Sequence, residues 1–170
     1  MRMDESAING GVGLRKEIFA WFGAAAYAAN CLEVELISLI LLTARLKGSL
    51  LTVDNHYALD ALLRRKTLGI LIQEVKKHIT LGEGFEETLG EALEKRNYLA
   101  HHFFYKHSTD LLSPEGCGKM LDELKKLHNS FKEADQVAET IHRLMRRLAG
   151  WSENDMQTEV DRFVGRHMKW

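Results

Sequence analysis

The stretch that decides the fold runs from residue 113 to residue 150 and reads SPEGCGKMLDELKKLHNSFKEADQVAETIHRLMRRLAG. Apolar side chains recur in it every seven residues in two interleaved series, Cys117, Leu124, Phe131, Ala138 and Met145, and Met120, Leu127, Ala134, Ile141 and Leu148. Steps that alternate between three and four residues are typical of the seam of a left-handed helical bundle. We therefore predict a long helix whose seam lies in the core of the chain, with a seam shared between two chains as the alternative.

Local signals mark both ends of this helix. Ser113 is a capping residue, Pro114 stands at the first helical position, and Glu115 lies at the positive end of the helix dipole. Gly150 is the predicted stop. Residues 152–155 then resemble a capping box that opens a short last helix. Its apolar positions are Met156, Val160, Phe163 and Val164.

The chain before residue 113 divides into three helical segments, residues 14–46, 56–80 and 85–106. Gly48 is the predicted stop of the first segment, and Asp54 or Asn55 is the predicted cap of the second. The second segment is read either as one helix or as two pieces that meet near Lys66 and Thr67. The sequence thus predicts an all-α fold, an antiparallel bundle of four main long helices plus a short C-terminal helix.

Length and composition limit the classes of protein that this chain can belong to. Its 170 residues suit one domain, which we place at residues 14–170 after a flexible segment of residues 1–13. A net charge of −1 excludes general nucleic-acid coating but allows a local basic site. The longest charge-free stretch, Ile18 to Leu32, is shorter than the roughly 20 residues that span a bilayer. We therefore expect a cytoplasmic protein without a membrane partner, in which Cys31 and Cys117 are reduced.

Polar residues interrupt the apolar pattern of the third segment. Arg96 stands where the stripe predicts an apolar residue, and a guanidinium is costly to bury alone. We expect it either to reach the edge of the bundle or to face a cleft or subunit interface that supplies anions. Polar residues at helical spacing follow one flank beside it, namely Glu94, Asn97, His101 and Tyr105. His102 points about 100° further round the helix.

These residue types suit chemistry on a phosphodiester. The fork of Arg96 matches non-bridging phosphate oxygens, and an imidazole can pass a proton to or from a hydroxyl at neutral pH. The amide of Asn97 can hold either group in place. From geometry alone, the alternative is that these residues form only the polar edge of a bundle helix.

The run Arg96-Asn97-Tyr98-Leu99-Ala100-His101 resembles the signature of HEPN domains, named for higher eukaryotes and prokaryotes nucleotide-binding. That signature is an arginine, usually a polar residue after it, and a histidine four to six residues further on. The resemblance implies an α-helical bundle, and many members are metal-independent ribonucleases that pair two motifs across a homodimer. Their settings include toxin–antitoxin systems, antiviral defence and RNA processing.

The resemblance implies a role for each motif residue. Arg96 would bind or polarise the phosphate, His101 would be the general acid or base, and Asn97 would orient the histidine or the substrate. The neighbours expected to help position the substrate are Glu94, His102 and Tyr105, and the spacing also admits His102 as the catalytic histidine. The reaction would leave 2′,3′-cyclic phosphate ends without a metal or cofactor. The partners would be RNA, a second copy, and an antitoxin or nucleotidyltransferase, although Phe103 stands where one subgroup carries a modified tyrosine.

Two other classes of function are compared with this one. A non-catalytic helical module that dimerises through its long helices fits the low net charge and the heptad seam. A carboxylate-bridged metal bundle needs two Glu-x-x-His pairs, whereas Glu139–His142 is the only such pair, with Glu33 and Glu35 as further carboxylates. We therefore predict no metal site. The arginines of residues 143–147 are expected to form a solvated face, or otherwise to contact an RNA backbone.

Overall fold

The computed structural model describes residues 5–48 and 52–150. Six α-helices and one 3-10 turn make up this part of the chain, which contains no strand. The helices are α1 (Glu5–Leu46), α2 (Val53–Leu63), α3 (Leu68–His78), α4 (Glu83–His101), α5 (Phe103–Lys106) and α6 (Pro114–Leu148), and the 3-10 turn is Asp110–Leu112. The all-α prediction is therefore confirmed. The predicted last helix lies outside the described residues, and a single domain over residues 14–170 stays a prediction.

Several helix boundaries follow from local chemistry. The hydroxyl of Ser113 accepts a hydrogen bond from the amide of Gly116 at 3.0 Å, and Pro114 begins α6, as predicted. Gly48, with a φ of +75°, follows the end of α1. The cap of α2 is Thr52, whose hydroxyl accepts from the amide of Asn55 at 3.2 Å. The prediction of Asp54 or Asn55 as the capping residue was therefore wrong.

The first helix is longer than its apolar pattern indicates. It begins at Glu5, nine residues before the expected start at Leu14, so helical backbone enters the segment that we expected to be flexible. A glycine inside a helix costs only about 1 kcal/mol relative to alanine. The glycines between residues 10 and 13 therefore did not end the helix. Residues 1–4 lie outside the described part of the chain.

The two longest helices run in the same direction. Trp21 and His128 form an edge-to-face ring contact at 5.5 Å, and Glu35 meets His142 fourteen residues further along each helix. By contrast, the segment formed by α4 and α5 runs antiparallel to α6, because Lys95 of α4 meets Ser130 whereas Lys106 of α5 pairs with Glu123, earlier in α6. The antiparallel arrangement of four main helices is therefore not confirmed.

The break in the second segment explains why α1 and α6 run in the same direction. Residues 64–67 separate α2 from α3, so the segment is two helices, which was one of the two predicted forms. Lys76 of α3 pairs with Glu86 at the start of α4, whereas Gly69 lies against Leu93 further along α4. Hence α3 is antiparallel to α4 and parallel to α1. The extra reversal at residues 64–67 leaves α1 and α6 pointing the same way.

The heptad seam of α6 forms one side of the core. Its first seven members are buried, namely Cys117, Met120, Leu124, Leu127, Phe131, Ala134 and Ala138. Ile141 and Met145 are only partly buried, and Leu148 is 88% exposed. The predicted seam is thus intramolecular core as far as Ala138, and its last heptad leaves the core. Cys31 and Cys117 are both free thiols.

Among the described residues, one helix is long and apolar enough to cross a bilayer, by length and composition alone. It is the Gly13–Leu46 part of α1, and 56% of its apolar window is buried within the protein. Such burial is also found in core helices, because a helix enclosed by its neighbours is apolar on most sides. This feature leaves the prediction that the chain has no membrane partner untested.

Candidate functional site

The motif residues lie in the last two turns of α4, beside α1. The buried stripe of α4 consists of Phe85, Leu89, Ala92 and Leu99, and it continues to Phe103 of α5. Arg96 stands within this stripe, four residues after Ala92 and three before Leu99, whereas Ala100, which we expected on the apolar line, is exposed. The side chain of Arg96 keeps 30% of its surface exposed.

The expected single helix from Phe85 to Lys106 is interrupted at His102. The backbone of His102 has a φ of −125° and a ψ of −20°, which lies outside the helical region, although its amide still donates to the carbonyl of Tyr98 at 2.9 Å. The short helix α5 begins at the next residue. The predicted polar line from Glu94 to Tyr105 is consequently broken before Tyr105, which is 85% exposed.

The structure brings some motif residues together and keeps others apart. Arg96 donates from Nη1 to Oδ1 of Asn97 at 3.5 Å, and the rings of His101 and His102 lie 6.3 Å apart. Asn97, both histidines and Glu94 are exposed. Because five helical residues advance the chain by about 140° beyond one full turn, His101 and Arg96 point in different directions from α4. Within the described chain, no hydrogen bond or ring contact joins either histidine to Arg96.

An acidic residue of α1 supplies the anion beside Arg96. Oε1 of Glu33 lies 3.4 Å from Nη2 of Arg96, and the Glu33 side chain is only 20% exposed. This oxygen is buried and accepts no hydrogen bond from any residue that the structure describes. The sequence indicated that Arg96 either reaches the bundle edge or faces a cleft or subunit interface that supplies anions. The structure places a carboxylate of the same chain beside it.

Sequence reasoning missed a buried histidine just beyond the motif. His107 is 5% exposed and is held by residues of three other elements. Its Nδ1 lies 2.6 Å from Oδ2 of Asp110, and its Nε2 lies 3.0 Å from Oε2 of Glu123 and 3.5 Å from the hydroxyl of Tyr98. Lys106 completes the group, with Nζ 3.2 Å from Oε1 of Glu123 and 5.1 Å from the centre of the Tyr98 ring. We call these five residues the His107 cluster.

The pKa values of two members of the His107 cluster are shifted by their surroundings. Both ring nitrogens of His107 face carboxylates, those of Asp110 and Glu123. Burial opposes ionisation of Glu123, but hydrogen bonds from Tyr98, Lys106 and His107 prevail and lower the pKa of that carboxyl. Burial, followed by the hydrogen bond to Glu123, raises the pKa of Tyr98. The cluster is therefore a group of buried and half-buried polar contacts that joins α4, α5 and the 3-10 turn to α6.

A second histidine joins the two parallel helices. Nδ1 of His142 lies 2.5 Å from Oε1 of Glu35, and both side chains are less than one-fifth exposed. The pair Glu139–His142 was expected to be solvated, but only Glu139 is exposed, and it pairs with Arg143 at 3.1 Å. Nearby, burial and then the charges of Glu35 and Glu139 raise the pKa of Asp135. No group of three metal-ligating side chains among the described residues is placed to hold a metal ion.

Two other surface features bear on binding. A cavity of about 280 Å³ lies between α4 and α6 and is lined by Glu87, Glu91 and Glu133 as well as Lys95. Three carboxylates around one lysine repel phosphate groups, so this cavity does not suit a nucleic acid. The arginines expected to form a solvated face differ from one another. Arg143 and Arg147 are exposed, whereas Nε of Arg146 is buried and has no hydrogen-bond partner in the described part of the chain.

Comparison with known proteins gives no relative. No protein-family model, no curated protein and no solved structure matches this chain.

Proposed function

We propose that this protein is a metal-independent endoribonuclease of the HEPN type that acts as a homodimer in the cytoplasm, as a toxin or defence effector. The observation that carries the proposal is the end of α4, where Arg96 and Asn97 are in contact and His101 and His102 are exposed one turn further on. This arrangement places a partly exposed cation, an exposed amide and two exposed imidazoles on one short stretch of chain. Among the described residues, no other arginine has the signature spacing to a histidine.

The proposed reaction needs no metal and balances within the RNA. The ribose 2′-oxygen attacks the adjacent phosphorus, the bond from phosphorus to the 5′-oxygen breaks, and a 2′,3′-cyclic phosphate and a 5′-hydroxyl form. One imidazole accepts the proton of the 2′-hydroxyl, and a protonated imidazole supplies the proton of the leaving 5′-oxygen. Arg96 binds the non-bridging oxygens, where negative charge develops. His101 is the first candidate for the proton transfers, and His102 is the second.

The directions of the motif side chains support a site built by two chains. Arg96 faces α1, whereas His101 points about 140° away round α4, so one chain does not bring both to a single phosphate. When a second copy lies against the end of α4, each phosphate is contacted by Arg96 of one chain and His101 of the other. An antitoxin or nucleotidyltransferase that covers this surface would silence the protein.

Cleavage of total RNA in EDTA tests this proposal. The wild type should cleave, and Arg96→Ala and His101→Ala should each abolish cleavage while the helical circular-dichroism signal stays unchanged. His102→Ala distinguishes the two histidines, because only the catalytic one is needed. His78→Ala, a substitution on α3 outside the motif, is the matched control and should cleave like the wild type. Unchanged cleavage by both Arg96→Ala and His101→Ala would contradict the proposal.

A non-catalytic dimerisation module is the second candidate, because α1 carries an apolar outer face. Phe19 is 58%, Tyr27 72% and Val34 48% exposed, and their spacing places them within about 80° of one another round the helix. Tyr27→Glu should then dissociate a dimer in light scattering, whereas Gln136→Glu on the exposed side of α6 should not. A wild type that is monomeric at all concentrations would contradict both candidates.

A further inference from the structure

We propose that Glu33 occupies the place on Arg96 that an RNA phosphate takes on binding, so that this carboxylate is an internal competitor of the substrate. The inference rests on the proposed function and identifies how access to its arginine is regulated. It assigns to α1 a part in substrate binding that the motif on α4 does not indicate.

The contact between the two side chains is electrostatic but poorly aligned. Oε1 of Glu33 and Nη2 of Arg96 are 3.4 Å apart, yet within residues 5–48 and 52–150 this oxygen accepts no hydrogen bond. Strong arginine–carboxylate pairs are shorter and make two parallel hydrogen bonds. An anion that offers such a geometry therefore gains more from Arg96 than Glu33 does. A phosphate diester, with two non-bridging oxygens, is an anion of this kind.

Arg96 has no second anion to hold it. Its other contact is the neutral amide oxygen of Asn97 at 3.5 Å, and Glu33 is its only ion-pair partner in the part of the chain that the structure describes. Two anions on one guanidinium repel each other, by about 1 kcal/mol at 4 Å even in water. A bound phosphate must consequently displace the Glu33 carboxylate or bind against its charge.

The chain offers a matched control two residues further along α1. The side chain of Glu35 is 19% exposed, close to the 20% of Glu33, but it pairs with His142 of α6. Glu35→Gln therefore removes the same charge from the same helix at a similar depth without touching Arg96. Any difference between the two glutamine variants reports on the Arg96 contact rather than on net charge.

The experiment measures binding of a 2′-O-methyl RNA oligonucleotide, which lacks the attacking hydroxyl, by fluorescence anisotropy at low ionic strength. Glu33→Gln should lower the Kd about fivefold, the equivalent of the repulsion given above. Glu35→Gln should change it by less than about twofold. In the Arg96→Ala background, Glu33→Gln should bring no gain. If Glu33→Gln does not fold, as judged by circular dichroism, Glu33→Asn replaces it.

The inference would be overturned by an unchanged or weaker affinity of Glu33→Gln, by an equal gain in Glu35→Gln, or by a gain that persists without Arg96. Absence of binding by every variant, Glu33→Gln included, would overturn it as well. The results that would refute the proposed function differ from those that would refute this inference. An Arg96-dependent gain in binding without cleavage of natural RNA refutes the nuclease alone, whereas Arg96-dependent cleavage without a gain refutes the competitor alone.

Discussion

Nε2 of His107 lies 3.0 Å from Oε2 of Glu123, and this contact fixes the chain after α4 to the first half of α6. The same ring reaches Asp110 through its other nitrogen, so one buried side chain joins the 3-10 turn to two helices. The motif histidines, His101 and His102, lie one short helix before His107. The His107 cluster therefore connects the chain that follows the motif to α6.

We expect His107→Ala to lower the free energy of unfolding by about 3 kcal/mol, because it leaves Asp110 and Glu123 without their shared partner and opens a cavity. Urea unfolding followed by circular dichroism measures this loss. His101→Ala, at an exposed position six residues earlier, should change stability by less than about 0.5 kcal/mol. Equal stabilities of the two variants would contradict the structural role of His107.

The pKa of Glu123 gives stability a defined dependence on pH. Because its pKa is lowered in the folded protein, the ionised form stabilises the fold above the ordinary value of 4.5. This contribution should disappear as the pH falls through the lowered value. Unfolding in urea at pH 7 and at pH 3 should thus show a smaller loss for Glu123→Gln than for the wild type. A wild type and a variant with the same pH dependence would exclude this contribution.

Asp135→Asn should stabilise the protein at neutral pH. Burial, then Glu35 and Glu139, raise the pKa of Asp135, so its charge opposes folding above that pKa. Since the side chain is only partly buried, the gain should be modest, up to about 1 kcal/mol, and should vanish in acid. Thermal unfolding at pH 7 and pH 3 measures it, with exposed Asp122→Asn on the same helix as the control. If Asp135→Asn were less stable than the wild type at pH 7, the prediction would be contradicted.

Gly116→Ala should destabilise the start of α6. A Cβ atom there would lie 2.3 Å from the carbonyl oxygen of Asp110, which belongs to backbone and cannot turn aside. We expect a loss of about 1–3 kcal/mol in unfolding experiments. Gly118→Ala is the control, because its Cβ would meet nothing within 4 Å and alanine is the better helix former. If Gly116→Ala were as stable as Gly118→Ala, the close approach would not exist.

Periodicity predicted the parts of the fold that depend on local chemistry. The seam from Cys117 to Ala138, the Ser113 cap and the stop at Gly48 all follow from residue types at fixed spacing. The parallel course of α1 and α6 did not follow, because it depends on whether the chain reverses at residues 64–67. Both forms of that segment carry the same apolar stripe, so the stripe alone could not distinguish them.

The candidate site was predicted only as a position on a helix. Spacing placed Arg96, Asn97 and His101 on α4, but the partner of Arg96 is Glu33, 63 residues earlier on another helix. The break at His102 and the burial of His107 likewise depend on contacts with α6 and the 3-10 turn. One local signal did point to the contact between His107 and Asp110. The two residues are three positions apart, which is the spacing of a turn.

The most direct test of the account is the rate at which the purified protein produces 2′,3′-cyclic phosphate ends from RNA in EDTA. The account predicts that the wild type forms these ends and that Arg96→Ala, folded to the same extent, does not. Formation of the ends at the same rate by Arg96→Ala, or cleavage that requires a divalent metal and leaves other ends, would contradict it.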